Sequence, residues 1–188
     1  MKLHRIKIRM LSGGRTPLHS DTLFGSICWA VFYLEGEERL KSLLQRFKEN
    51  KPAFVLSDGF PQGFLPRPAG GNYTIRSSEG KSKQDIMVNM KKAKQIKKIS
   101  YIPLEDIQKI ILGDKIALEN CRQPEETSLN MTVHNTIDRE TGTSAEGGLF
   151  RELYRWDGDI DIYALAEDEW KPLLMRCLEL IGFWGYGG

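Results

Sequence analysis

The residues able to do chemistry in this sequence are few and scattered. His4, His19 and His134 are its only histidines, and no two share the short helical spacing that offers two ligands to one metal. Cys28, Cys121 and Cys177 are odd in number and far apart, with no C-x-x-C pair. Neither a zinc site nor a disulfide framework is expected, and a reducing, cytoplasmic setting is the default. Gly80-Lys81-Ser82 resembles the end of a phosphate-binding P-loop, but that motif needs glycine at position 75, where Ile75 stands. Asp21, Asp58 and Asp138 lie beside hydroxyls or amides, contexts that suit capping and turn formation as well as acid and base work. The expectation is therefore no metal, no cofactor and no catalytic constellation.

Three stretches suit binding instead. His19-Ser20-Asp21-Thr22 opens a helix, where free backbone N–H groups and the positive dipole end can hold a phosphate unless Asp21 caps the helix itself. Asn135 to Thr143 carries a strand end into a polar loop, in which Asn135, Arg139 and Thr141 offer amide, guanidinium and hydroxyl donors. The same residues also suit an ordinary hairpin loop. Gly182 to Gly188 combines four glycines with Phe183, Trp184 and Tyr186, rings on which bases could stack at about 1–3 kcal/mol each. Phe183 and Trp184 equally suit core packing. Tyr186, flanked by Gly185 and Gly187, is the ring expected to face a ligand, with Gly188 beside it.

Charge is distributed unevenly along the chain. Eight basic residues, Lys91, Lys92 and Lys94 among them, stand between Arg76 and Lys98 against Glu79 and Asp85. From Glu152 to Glu169 seven acids face Arg155 alone. Such a chain can hold a polyanion on one region and meet a different partner on the other, although charge runs also serve as solvated faces.

The elements that must position these residues follow from periodicity. A chain of 188 residues, 40% hydrophobic and 28% charged, lies in the globular range and is neither fibrous nor wholly disordered. Ile6, Ile8 and Met10 alternate with Lys7 and Arg9, predicting a strand from Lys2 to Met10. The apolar run Leu23 to Leu34 is too short to span a bilayer and reads as a buried helix from about Asp21. A second helix, Glu37 to Glu49, presents Leu40, Leu43, Leu44 and Phe47 on one stripe. Phe54-Val55-Leu56 is a short strand. Ser57 to Pro68 reads as an irregular loop, Gly70 to Lys83 as polar and flexible, the basic stretch after it as helical, and Leu104 to Leu112 as a short helix. Leu129, Met131, Val133 and Ile137 then alternate with polar residues. A strand from Leu149 to Trp156 is expected to meet another, Asp159 to Leu165, in a hairpin across Asp157-Gly158. A last helix, Glu169 to Ile181, turns Leu173, Leu174, Cys177, Leu178 and Ile181 toward a core and stops at Gly182. The strands cluster late, which favours an α+β sandwich over a doubly wound sheet.

His19-Ser20-Asp21-Thr22-Leu23-Phe24-Gly25, Ser57-Asp58-Gly59-Phe60-Pro61 with Leu65-Pro66-Arg67-Pro68, and His134 to Gly142 together resemble a known family. It is that of subunit four of the type III-A CRISPR effector, the Csm complex, in the RAMP superfamily. The resemblance implies a ferredoxin-like (RRM-like) sandwich as one RAMP domain over residues 1–188, with a basic insertion around 70–125 and a β-hairpin thumb. It implies a second ferredoxin-like half beyond the Gly182–Gly188 loop. It also implies a non-catalytic subunit that holds the 5′ tag of the CRISPR RNA next to the large polymerase-like subunit and the first backbone subunit. On that reading the RNA-binding residues are His19, Ser20, Lys91, Lys92, Lys94, Asn135, Arg139, Thr141, Gly185, Tyr186, Gly187 and Gly188. The rival reading is a metal-independent CRISPR RNA endoribonuclease with His19 or His134 as general acid or base.

Overall fold

The computed structural model describes residues 1–69, 73–74, 87, 90–91, 93–94, 96–125 and 127–186. In chain order the elements are β1 (Lys2–Arg9), α1 (Ser20–Glu35), α2 (Glu37–Lys48), β2 (Phe54–Leu56), β3 (Phe60–Pro61), β4 (Phe64–Pro66), β5 (Tyr73–Thr74), β6 (Tyr101–Pro103), α3 (Leu104–Ile111), β7 (Ile116–Ala117), β8 (Ser128–Ile137), β9 (Ser144–Trp156), β10 (Asp159–Ala166) and α4 (Lys171–Trp184). The fold is α+β with mostly antiparallel strand pairing, β5 and β7 pairing in parallel, and it divides into two compact units, Met1–Gly59 with Glu126–Gly188, and Phe60–Glu125.

In the first unit β10 pairs antiparallel with β1 on one side and β2 on the other, placing Ile6 opposite Ile162, Ile8 opposite Ile160 and Leu56 opposite Ala164. The period of two then sorts the side chains. Ile6, Ile160, Ile162, Ala164 and Ala166 share one face and join Leu23, Ile27 and Val31 of α1 and Leu173, Leu174, Cys177 and Ile181 of α4 in a single buried cluster. On the opposite face the fully buried Asp161 accepts a hydrogen bond from Arg5 Nη2 at 2.6 Å. Gly36, with φ +86°, turns the chain between α1 and α2. The α2 stripe meets the core through Leu43 and the ring group Phe24, Phe47 and Phe54.

The hairpin expected across Asp157-Gly158 does not form. β9 pairs with β8 and β10 with β1 and β2, so at Gly158 (φ +66°) the chain passes from one sheet into another. The reason is non-local. The apolar face of β10 is buried only beside β1 and β2, and the Asp157 carboxylate is already taken by Arg155 and Thr127. β9 also starts earlier than expected, at Ser144.

The second unit runs from Phe60 to Glu125. The expected irregular loop contains β3 and β4, and Leu65 of β4 pairs with Ile102 of β6. The unit's apolar centre is Ile96, Ile102, Ile107 and Leu118, edged by Arg122 over the Phe64 ring at 4.8 Å. Met87, Met90, Lys91, Ala93, Lys94, Ile96 and Lys97 are helical, in keeping with the helical reading of the basic stretch. Lys92, Gly187, Gly188 and the Gly80-Lys81-Ser82 segment lie outside the described residues.

Candidate nucleic-acid interface

β8 and β9 form an antiparallel ribbon in which Met131 faces Leu153, Val133 faces Arg151 and His134 faces Phe150. Ten residues of β8 extend about 33 Å. Apart from the partly covered His134, every β8 side chain is exposed. One ribbon face carries Leu129, Met131, Val133, Leu149 and Leu153, the first and fourth of these 67% and 69% exposed. The other carries His134, Phe150, Tyr154 and Trp156. The alternation was legible in the sequence, but it does not say whether anything covers the apolar row. A two-stranded ribbon adds little stability by itself, and a contiguous exposed apolar row marks an interaction surface.

On the ring-bearing face His134 stacks on Phe150, with centroids 5.3 Å apart and planes at 17°. Glu152 accepts hydrogen bonds from Tyr154 Oη at 2.6 Å and lies 2.8 Å from Arg15 Nη2 and 3.2 Å from His134 Nε2. The Tyr154 hydroxyl, then the Arg15 and His134 charges, hold the Glu152 carboxyl below its usual range. At the ribbon's base Gly14 and Arg155 exchange backbone hydrogen bonds at 3.0 and 2.9 Å. At its tip Asp138 organises the turn by accepting the Glu140 and Thr141 N–H groups at 2.8 and 3.2 Å. Asn135 Nδ2 donates to Ser144 Oγ at 2.6 Å. Asn135, Arg139 and Thr141 are thus brought together, exposed, on one hairpin tip. Phe150, Tyr154, Trp156 and Arg151 were missed as site residues. Their signal was a strand with apolar residues on both faces, Leu149 and Leu153 on one and Phe150, Tyr154 and Trp156 on the other.

The start of α1 is less open than the sequence implies. Its first N–H, on Ser20, already donates to Asp58 Oδ1 at 2.7 Å, and Thr22 N–H donates to Asp21 Oδ1 at 2.6 Å. The Ser20 backbone donor is the main reason the Asp58 carboxyl is held below its usual range. Ser57 and Gly59 complete a clasp: Gly59 N–H donates to the Leu18 carbonyl at 2.7 Å, Ser57 N–H to the Tyr163 carbonyl at 2.9 Å, and Tyr163 N–H to Ser57 Oγ at 2.9 Å. Two carboxylates therefore occupy the place proposed for a phosphate. His19 Nδ1 lies 4.0 Å from Asp58.

Of the three rings at the end of the chain, Tyr186 departs from expectation. Tyr186 is packed against the core with its hydroxyl donating to the Pro17 and His19 carbonyls at 3.2 Å, whereas Phe183 and Trp184 are 88% and 56% exposed. Gly185, at φ +92°, turns the chain back toward α1 and brings Tyr186 with it. His19, Ser20 and Tyr186 are consequently neighbours. In the second unit, Lys91, Lys94, Lys97 and Lys98 are all exposed and Ile96 is buried, the division of an amphipathic helix with a cationic outer face.

The family profile of the RAMP superfamily matches residues 6–188, and the chain belongs to that superfamily. No curated protein matches it. Among solved structures it is similar to a chain of the crystal structure of the Csm1-Csm4 cassette in complex with cA4, with TM-score 0.61 and 16% identity over 98% of this chain and 67% of that one. The cassette in complex with pppApA gives 0.59 and 15% over 96% and 65%. The cassette in complex with AMPPNP gives 0.56 and 20% over 94% and 66%. At such identities the likeness is one of fold, and the chain spans about two thirds of the length of the chains it matches.

Proposed function

We propose that this chain is a subunit of a type III CRISPR effector complex that grips the 5′ tag of the CRISPR RNA and breaks no bond in it. The observation that carries this reading is the β8–β9 ribbon, which leaves rings, guanidinium groups and an aliphatic row uncovered on a hairpin of a RAMP-superfamily chain. Unpaired RNA is held by stacking its bases and neutralising its phosphates. Phe150, His134 and Trp156 suit the first task. Arg139 and Arg151 suit the second, as do Lys91, Lys92 and Lys94 in the other unit. His19, Ser20, Asn135, Thr141 and the Gly185–Gly188 segment complete the proposed contacts. In this reading the β1–β10–β2 sheet with α1 and α4 is a ferredoxin-like frame, the ribbon is its thumb, and residues 60–125 are an insertion. The partners are a large polymerase-like subunit, supported by likeness to a chain of a Csm1-Csm4 cassette, and a backbone RAMP subunit, in the cytoplasm.

The test is to assemble the complex with Phe150→Ala/Arg139→Ala and probe the CRISPR RNA with a single-strand nuclease. The tag nucleotides are expected to become cleavable while the rest stays protected, since one lost stack weakens the grip by about 1–3 kcal/mol. Equal tag protection in an assembly lacking this chain refutes the proposal. Metal-independent cleavage of a repeat-containing precursor that is lost in His134→Ala would instead establish the endoribonuclease reading, which the 3.2 Å His134–Glu152 contact would serve.

A further inference from the structure

The two oxygens that face His134 Nε2 have only lone pairs to offer it. Tyr154 Oη lies 2.6 Å from Glu152 Oε2, a separation that places the one hydroxyl proton between them. Glu152 is ionised in this setting, because the Tyr154 hydroxyl, with the Arg15 guanidinium at 2.8 Å, holds its carboxyl below the usual range. An ionised carboxylate can only accept. Nε2 stands 3.2 Å from that same Oε2 and 3.3 Å from Tyr154 Oη, and with no proton to receive from either oxygen it must itself be the donor. In the neutral imidazole the other nitrogen, Nδ1, is then an acceptor. Among the described residues Nδ1 has no hydrogen-bond partner. Arg15 belongs to the segment between β1 and α1 whose Gly14 pairs with Arg155, so Glu152 is held from outside the ribbon as well as from within.

We infer that His134 Nδ1 accepts a hydrogen bond from a ribose 2′-hydroxyl, that Glu152 is the positioning residue which fixes the tautomer for it, and that the ribbon thereby prefers RNA to DNA. The inference rests on the RNA-grip reading and names the group that the grip recognises. Geometry favours the sugar over the base. His134 stacks on Phe150 with centroids 5.3 Å apart and planes at 17°, and a base continuing that stack lies in a nearly parallel plane with its N–H donors directed within that plane. Nδ1 receives instead in the imidazole plane, at the rim of the stack, where the backbone of a stacked strand runs. A phosphate cannot be the partner there, because its oxygens are acceptors like Nδ1 itself. The 2′-hydroxyl is the backbone group that donates, and it is what separates RNA from DNA at a given site.

The experiment takes two readouts from the purified chain. Nitrogen NMR of the His134 ring reports protonation and tautomer in the absence of RNA. The parent is expected to hold the Nε2–H form, and Glu152→Gln, whose amide can also donate to Nε2, to mix the two forms. Fluorescence anisotropy then compares single-stranded RNA of the CRISPR repeat sequence with the same strand carrying 2′-deoxy or 2′-fluoro sugars, neither of which can donate. Losing one hydrogen bond is expected to weaken binding of both modified strands by about two- to tenfold. His134→Phe keeps a ring to stack on Phe150 but lacks Nδ1, so it and Glu152→Gln should shrink the preference for the unmodified strand by that factor. Equal affinity of the parent for all three strands, an undiminished preference in His134→Phe, or an Nδ1–H tautomer in the parent overturns the inference and leaves an RNA grip in place. Failure of the parent to bind any strand strikes at the grip itself, and the inference falls with it. Cleavage of the unmodified strand that His134→Phe abolishes would support a 2′-hydroxyl at Nδ1 and refute the bond-preserving grip instead.

Discussion

Gly59 offers a sharp test of how α1 is held. A Cβ at this position would lie 2.8 Å from Leu18 Cβ and 2.9 Å from Ile160 Cγ2, whereas carbon atoms rest at about 3.5–4.0 Å. Neither neighbour can swing aside cheaply. Leu18 Cβ is fixed to the backbone whose carbonyl accepts the Gly59 N–H at 2.7 Å, and Ile160 is 4% exposed in the centre of the sheet. Gly59→Ala must therefore push the entry of α1 away from β10, and overpacking of this kind costs about 1–3 kcal/mol. A loss of about 2 kcal/mol lowers Tm by roughly 4–8 °C in a chain of this length. Gly25 supplies the opposite sign on the same helix. Nothing lies within 4 Å of its would-be Cβ, so Gly25→Ala should stabilise by about 0.5–1 kcal/mol through helix propensity alone. Urea unfolding followed by circular dichroism measures both. A Gly59→Ala protein as stable as the parent, or a Gly25→Ala protein that loses as much, refutes the reasoning.

Further outcomes can be checked separately. Asp58→Ala removes the acceptor of the first α1 N–H and should cost about 1 kcal/mol at neutral pH. Because the folded carboxyl is held below its ordinary range, this contribution is present above about pH 4 and lost as pH falls through the folded value. The gap between parent and variant should therefore close on acidification, and a gap that widens would contradict it. Burial pushes the Cys177 thiol up to about 11, so iodoacetamide should label it slowly in the native chain and rapidly in urea; rapid native labelling would count against the buried placement. Lys91→Glu/Lys94→Glu should lower the salt dependence of RNA retention by about 0.7 per phosphate contact removed, and an unchanged slope would show that this face is only solvated.

The sequence was most legible where a single period decides the outcome. β1, α1, α2, β2 and α4 fall within a few residues of their expected ends because their apolar spacing is read locally. The Asp157-Gly158 hairpin was misread because its signal is also local, while the choice of partner for β10 is made by Ile6 and Ile8 far along the chain. The helix start at His19-Ser20 and the capping character of Asp58 were each legible locally, but that one caps the other was not, since the clasp joining them bridges 38 residues between Ser20 and Asp58. Phe183 and Trp184 carried an ambiguity that spacing could not resolve. Phe183 lies about 200° around the helix from the buried Ile181 and faces outward. Trp184 falls past the end of the core and meets the Tyr33 ring, with centroids 5.0 Å apart. At the hairpin tip, Asn135, Arg139 and Thr141 were found because a polar loop shows its donors directly. The ribbon's rings were not, because alternation gives the direction of a side chain and says nothing of what lies beyond it.

The passage from β9 into β10 has a mechanical side. Only Asp157 and Gly158 separate the last residue of the ribbon from the first residue of the central strand, and the Asp157 carboxylate ties that junction to Arg155 and Thr127. With so little slack, a tug on the outer end of the ribbon is transmitted as tension to the strand that Arg5 and Asp161 pin in place.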